Sequence, residues 1–121
     1  MRRRSYAEAE RHGRRAERLC MLMLRLKAYR ILAHHWRCPA GELDIVARRG
    51  RTLAVIEVKA RADYATAAES VSMRQQSRIA MATRQFIAAR PNLAALDVRF
   101  DVMLVMPYRL PRHLESAWLP A

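Results

Sequence analysis

Apolar and polar positions along the chain change period twice, and the changes mark the elements. From Tyr6 to about Lys27 there is no proline and one glycine, Gly13. Ala9, Ala16, Cys20, Met23 and Leu24 recur at roughly helical spacing, with arginines on the other face, which predicts an amphipathic helix. The period then shortens to two. Tyr29 to Trp36 reads as a strand, broken by Cys38-Pro39-Ala40-Gly41. Glu42 to Arg48 reads as a second strand, Arg49-Gly50-Arg51 as a turn, and Thr52 to Ala60 as a third strand. Arg61 to Val71 is small or polar and reads as a mobile loop. Ser72 to Arg90 reads as a second helix closed by Pro91, with Ser72 and Gln75 fitting a capping box. Val98 to Met106 reads as a fourth strand ended by Pro107, and the tail from Tyr108 carries Pro111 and Pro120, so little regular structure is expected there. The order α-β-β-β-α-β predicts a small α/β domain, a mixed sheet flanked by helices. At 121 residues one domain is expected over 1–121, with its core at about 6–107 and a tail at 108–121.

Within the third strand, Ala54, Ile56, Val58 and Ala60 share one face, while Leu53, Val55, Glu57 and Lys59 share the other. Such a strand is buried on both sides and carries charge only near its end. Charges there are costly unless something compensates them. In the second strand Leu43, Ile45 and Ala47 should face one way and Glu42, Asp44 and Val46 the other. If Gly50-Arg51 is a two-residue turn, Asp44 lies opposite Glu57 and Glu42 opposite Lys59. Arg49-Gly50 as the turn preserves the shared face, whereas a three-residue loop would break it without a bulge. Two carboxylates on one sheet face repel each other unless a cation lies between them. Their hard oxygens suit Mg²⁺ or Mn²⁺. Such an ion with a neighbouring lysine is what phosphodiester hydrolysis requires. Any single pair of these charges is more simply read as part of a structural ion-pair network. Their buried setting, their common face and the basic chain together favour a metal site built on Asp44, Glu57 and Lys59.

Composition sharpens the choice of partner. Hydrophobic residues make up 52% of the chain, enough for a core. The net charge of +12 comes almost wholly from arginine, since Lys27 and Lys59 are the only lysines. That excess favours a polyanion, nucleic acid first and an anionic membrane surface second. Candidate phosphate contacts are Arg2-Arg3-Arg4, the arginine face of the first helix, and Arg48, Arg49 and Arg51 at the turn. Aromatic residues are only 7%, so no stacking platform for single strands is evident, and duplex or branched DNA fits better. Cys20 and Cys38 make no disulfide framework. His34-His35 with Cys38 suggests zinc, but adjacent strand residues point to opposite faces and no spaced ligand pair completes a site. No secretory signal or spanning segment is visible, which predicts a cytoplasmic protein that does not engage a membrane.

GELDIVA, followed after a short turn by AVIEVKAR, resembles the signature of the YraN-like family of small, largely uncharacterised bacterial proteins. That family is similar to Holliday-junction resolvases and carries the PD-(D/E)xK nuclease motif. The resemblance runs from about Glu10 to Met106 and implies a restriction-endonuclease-like fold. On it, Asp44, Glu57 and Lys59 are the motif's catalytic residues, and Glu17 is the helical carboxylate that completes the metal ligands. Glu42 falls at the acidic position of a Gly-Glu-x-Asp stretch, as a supporting residue or a partner of Lys59. Gln76 matches a glutamine of the second helix, on the substrate side, while Gln75 is expected to cap that helix. The sequence departs from the family at Gln75, where lysine is usual, and in the Ala-rich RADYATAAES loop, where a glycine is usual. The implied activity is a Mg²⁺- or Mn²⁺-dependent endonuclease acting on DNA rather than RNA, on branched or damaged structures, and the likeness to resolvases implies a homodimer. The rival readings are a non-catalytic nucleic-acid-binding module of the same fold and a basic protein whose anionic partner is another macromolecule.

Overall fold

A computed structural model describes residues 2–60 and 71–119, with side chains from Arg14 onward. Helix α1 (Arg2–Leu26) leads into strands β1 (Arg30–Cys38), β2 (Gly41–Arg49) and β3 (Thr52–Ala60). Helix α2 (Met73–Ala88) and a short 3₁₀ turn (Pro91–Leu93) connect to β4 (Asp97–Val105) and β5 (Arg112–Trp118). The five strands form one sheet in the order β1-β2-β3-β4-β5. Only the β3–β4 pair is parallel, and its crossover contains α2, as a parallel connection requires. The architecture is the expected α/β one, a mixed sheet with helices, and is compatible with a restriction-endonuclease-like domain. The segment 61–70, expected to be a loop, and the side chains of Arg2, Arg3 and Arg4 lie outside the described residues.

The tail departs from expectation. Residues from Arg112 form β5, antiparallel to β4, with Leu114 opposite Val102. Pro107 and Pro111 therefore frame a turn instead of ending the fold, and Pro111 is buried. Trp118 stacks on Phe100 with ring centroids 4.1 Å apart and planes 14° from parallel. A register shift between Phe100 and Val102, with Ser116 at φ 49, interrupts the period-two pattern that would have revealed the strand.

The core has two layers, one on each sheet face. Ile79, Ala82 and Phe86 of α2 pack on Leu43, Val46, Leu53, Val55, Phe100, Val102 and Leu104. Cys20, Met21 and Leu24 of α1 pack with Tyr29 on Ile45, Ala47, Ala54, Ile56 and Met103. Leu43 thus leaves the expected row of Ile45 and Ala47 and joins Val46 on the α2 side. The break in alternation falls between the pairs His34–Ile45 and Trp36–Leu43, where His35 adopts φ 51. A left-handed residue there re-aims the strand locally, and histidine is among the side chains that tolerate it.

Candidate functional site

The β2–β3 hairpin closes on Gly50-Arg51, with Arg49 opposite Thr52, Ile45 opposite Ile56, and Gly50 at φ 60. The register is the one that faces Asp44 towards Glu57. The backbone ladder ends at Ile45–Ile56. One step beyond, the Val58 N–H donates to Asp44 Oδ2 at 2.9 Å. The carboxylate of Asp44 thereby takes over a bond that backbone pairing would otherwise supply, and it lies in the opening between the two strands.

Asp44 and Glu57 share a side-chain hydrogen bond. Two carboxyl groups this close can share a hydrogen bond only if one of them holds a proton. Burial, then the charge of Asp44, pushes Glu57 up to about 8 despite Lys59. Burial also raises Asp44, against the pull of the Val58 N–H, Glu57 and Lys59. Lys59 Nζ lies 3.7 Å from Glu57 Oε1.

Helix α2 adds a residue that the sequence did not assign to the site. Ser72 Oγ accepts from the Gln75 N–H at 3.1 Å, which is the expected helix cap. The Gln75 side chain, however, turns into the site. Its Nε2 donates to Glu57 Oε1 at 2.8 Å, and its Oε1 accepts from Lys59 Nζ at 3.3 Å. Gln76 is not brought there, since its Nε2 donates to the Val71 carbonyl at 3.1 Å. A residue in the first turn, directly above the end of β3, was the available signal, but the capping pattern accounted for it first.

On the α1 side, His35 joins two acids. Its Nε2 contacts Glu17 Oε2, and its Nδ1 lies 3.0 Å from Glu42 Oε1. The hydrogen bond with Glu42, followed by the charges of Glu17, Glu42 and Asp44, raises the imidazole pKa against its partial burial. Burial, then Asp44, pushes Glu17 up to about 7, although His35 pulls the other way. Glu42 does not reach Lys59. It lies opposite Arg37 in β1 and approaches that guanidinium at 3.6 Å. His34 and His35, expected on opposite faces, line one groove together, because the φ of His35 turns it. Among the described residues, no three His, Cys, Asp or Glu side chains form a ready-made metal cage. Asp44 and Glu57 are together, and Glu17 feels the charge of Asp44 but is held by His35.

The hairpin arginines are occupied internally. Arg48 Nε donates to the Gly50 carbonyl, Arg49 to that of Lys27, and Arg51 to that of Ala95, at 3.0, 3.2 and 3.3 Å. Arg49 also stacks 4.4 Å above the Tyr29 ring.

A second buried acid, Asp101 in β4, escaped the sequence reading. Arg99 forks onto it at 2.9 Å (Nε) and 2.8 Å (Nη2), His113 Nε2 lies at 2.7 Å, and the Ser116 N–H donates at 3.0 Å. Arg99 also donates to the Tyr29 hydroxyl, and Lys27 Nζ lies 2.9 Å from His113 Nδ1. Burial alone would raise Asp101, but the bonds from His113, Arg99 and Ser116 outweigh it and hold it below the usual carboxylate range. The signal was an acid flanked by Phe100 and Val102 in a core strand, which requires partners.

Residues 16–105 match a family model described as "Uncharacterised protein family UPF0102". A UPF0102 protein of Parvibaculum lavamentivorans is 53% identical over 112 residues, covering 93% of this chain and 84% of that protein. One from Paramagnetospirillum magneticum is 49% identical over 119 residues, covering 95% and 92%. One from Maricaulis maris is 48% identical over 117 residues, covering 97% and 92%. Among the described residues, no helix is long and apolar enough to cross a membrane.

Proposed function

We propose, from the premise that the chain belongs to the UPF0102 (YraN-like) family, that it is a metal-dependent phosphodiester hydrolase acting on DNA. The observation that carries the reading is the meeting of two half-buried carboxyls, Asp44 and Glu57, where β2 and β3 part: Asp44 accepts from the Val58 N–H, and Glu57 lies beside Lys59 and Gln75. Burial, then the charge of Asp44, raises both Glu17 and Glu57. The donors are hard oxygens, so they fit Mg²⁺ or Mn²⁺, with Asp44 and Glu57 as ligands and Glu17 as the third carboxylate. Bound there, the ion would polarise a phosphoryl oxygen and acidify a water.

The chain's own groups supply the rest. Lys59 offers a compact ammonium beside Glu57, suited to orient the attacking water or balance negative charge building on phosphorus. Gln75 holds that ammonium and the Glu57 carboxyl in one fixed relation. The net charge of +12 draws the polyanion in. DNA is favoured over RNA, and branched or damaged duplexes are the substrates to try first.

The test is cleavage of labelled duplex, branched and single-stranded DNA with Mg²⁺ or Mn²⁺, comparing wild type with Asp44→Asn and Lys59→Ala. Metal-dependent cutting lost in both variants is the expected result. A second reading, a non-catalytic nucleic-acid-binding module, is favoured by the engagement of Glu17 with His35 instead of with Asp44 and Glu57. Binding of DNA without cutting by the folded wild type would establish it.

A further inference from the structure

The arginines of this chain are not equivalent, and the difference locates the path of the nucleic-acid backbone. A groove of about 350 Å³ opens between α1 and β1, lined by Arg14, Glu17, Arg18, Met21, His34 and His35. Arg14, Glu17 and Arg18 stand at i, i+3 and i+4, so they rise from one side of the helix. Glu17 is buried and contacts His35, whose other ring nitrogen lies 3.0 Å from Glu42, two residues from Asp44 in β2, so the groove runs up to the carboxylate cluster. Arg14 and Arg18 are exposed, and among the described residues neither is engaged in a hydrogen bond or ion pair. Their guanidinium donors are available in the fork geometry that suits phosphate.

The hairpin arginines differ in both respects. Arg48, Arg49 and Arg51 already donate to backbone carbonyls of the protein. Arg49 also lies five residues along β2 from Asp44, roughly 17 Å at strand rise. A phosphate bound there would sit far from the carboxylates.

We infer that the α1–β1 groove is the phosphodiester-backbone subsite of this protein, with Arg14 and Arg18 contacting phosphates next to the Asp44–Glu57 centre. The inference rests on the hydrolase reading and goes beyond it by saying which face the nucleic acid covers. Arginine side chains at the rim bind the backbone without reading its sequence, so recognition here is of charge and shape. His34, on the β1 wall, adds a ring donor or acceptor opposite the two guanidinium groups.

The experiment is binding of a short labelled duplex by fluorescence anisotropy across a salt series, with chelator present so that no cutting occurs. Wild type is compared with Arg14→Ala/Arg18→Ala and with Arg48→Ala/Arg49→Ala, each checked for folding by its thermal transition. Both Arg14 and Arg18 are on an exposed helix face where alanine is well tolerated. Every phosphate deprived of its arginine takes about 0.9 from the slope of log K against log salt, so the α1 double variant should lose about 2. The hairpin variant should keep the wild-type slope. A loss of slope in the hairpin variant with none in the α1 variant overturns the inference and leaves the hydrolase reading intact. Absence of any duplex binding by folded wild type overturns both.

Discussion

The sheet carries two carboxylate centres, Asp101 fully buried and the Asp44–Glu57 pair half-buried, and they are electrostatic opposites. Asp101 is saturated, with a guanidinium fork, an imidazole and a backbone N–H surrounding it, and its pKa falls. Asp44 and Glu57 have one ammonium, one amide and one backbone N–H between them, and both are raised. Both centres sit in strands flanked by apolar residues, so burial acts in the same direction in each. What differs is whether the chain supplies the compensating cation. At Asp101 it does, which makes that centre part of the scaffold. At Asp44 and Glu57 it supplies only the Lys59 ammonium, 3.7 Å from Glu57. A strongly arginine-rich protein that places no arginine at one acidic cluster has little positive charge there, and the proposed metal site rests on that contrast.

The largest test of the contrast is at the saturated centre. Asp101→Asn should cost about 3–5 kcal/mol of stability, because it removes the fully buried charge on which both Arg99 and the buried His113 converge. Chemical denaturation checks it, and a variant as stable as wild type would erase the distinction between the centres. At the other centre, Lys59→Ala should leave the fold in place and lower the cleavage rate roughly 100- to 1,000-fold, the usual cost of removing one donor aimed at developing charge. Single-turnover cleavage at saturating metal gives the number. Gln75→Ala should cost less, about 10- to 100-fold in metal affinity or rate, since it acts by holding Glu57 and Lys59 and not by touching phosphate. Metal titration curves of the variant separate that from a general loss of fold.

The centres also differ in pH dependence, and its sign is opposite between them. Glu57 and Glu17 have folded pKa values of about 8 and about 7, above the 4.5 of the free side chain. Between 4.5 and those values the folded state binds more protons than the unfolded one, so stability falls as pH rises through that window. Without metal, the melting temperature should therefore decline from about pH 5 to about pH 8, and Glu57→Gln should flatten the decline. Asp101 is lowered, so its contribution is present above the ordinary aspartate range and fades only as pH drops below it. A metal-free melting temperature that rises from about pH 5 to about pH 8 would count against the raised carboxyls.

Local rules carried the sequence reading where strands are regular. Gly50-Arg51 sets the β2–β3 register, and from it the meeting of Asp44 and Glu57 follows. Reading failed where backbone geometry departs from the two simple periods. Strict alternation places His35 away from the site, and its positive φ breaks that alternation. The strand β5 was hidden by prolines at its turn and by the irregularity at Ser116. Its loss concealed His113, and with it half the cage around Asp101. The capping pattern claims Gln75, yet only its backbone N–H serves the cap, which leaves the side chain for Glu57 and Lys59. Glu17 was singled out by the family resemblance, but its partner His35 was not.

Divalent-metal binding at the Asp44–Glu57 centre tests the central claim most directly. Isothermal titration of Mn²⁺ into the protein near pH 7 should show binding with proton release, because Glu57 must give up its proton to become a ligand. The same titration into Asp44→Asn should show that binding lost while the thermal transition remains. Folded wild type that takes up no Mn²⁺, or a variant that binds it as well as wild type, would contradict a cation site at this pair.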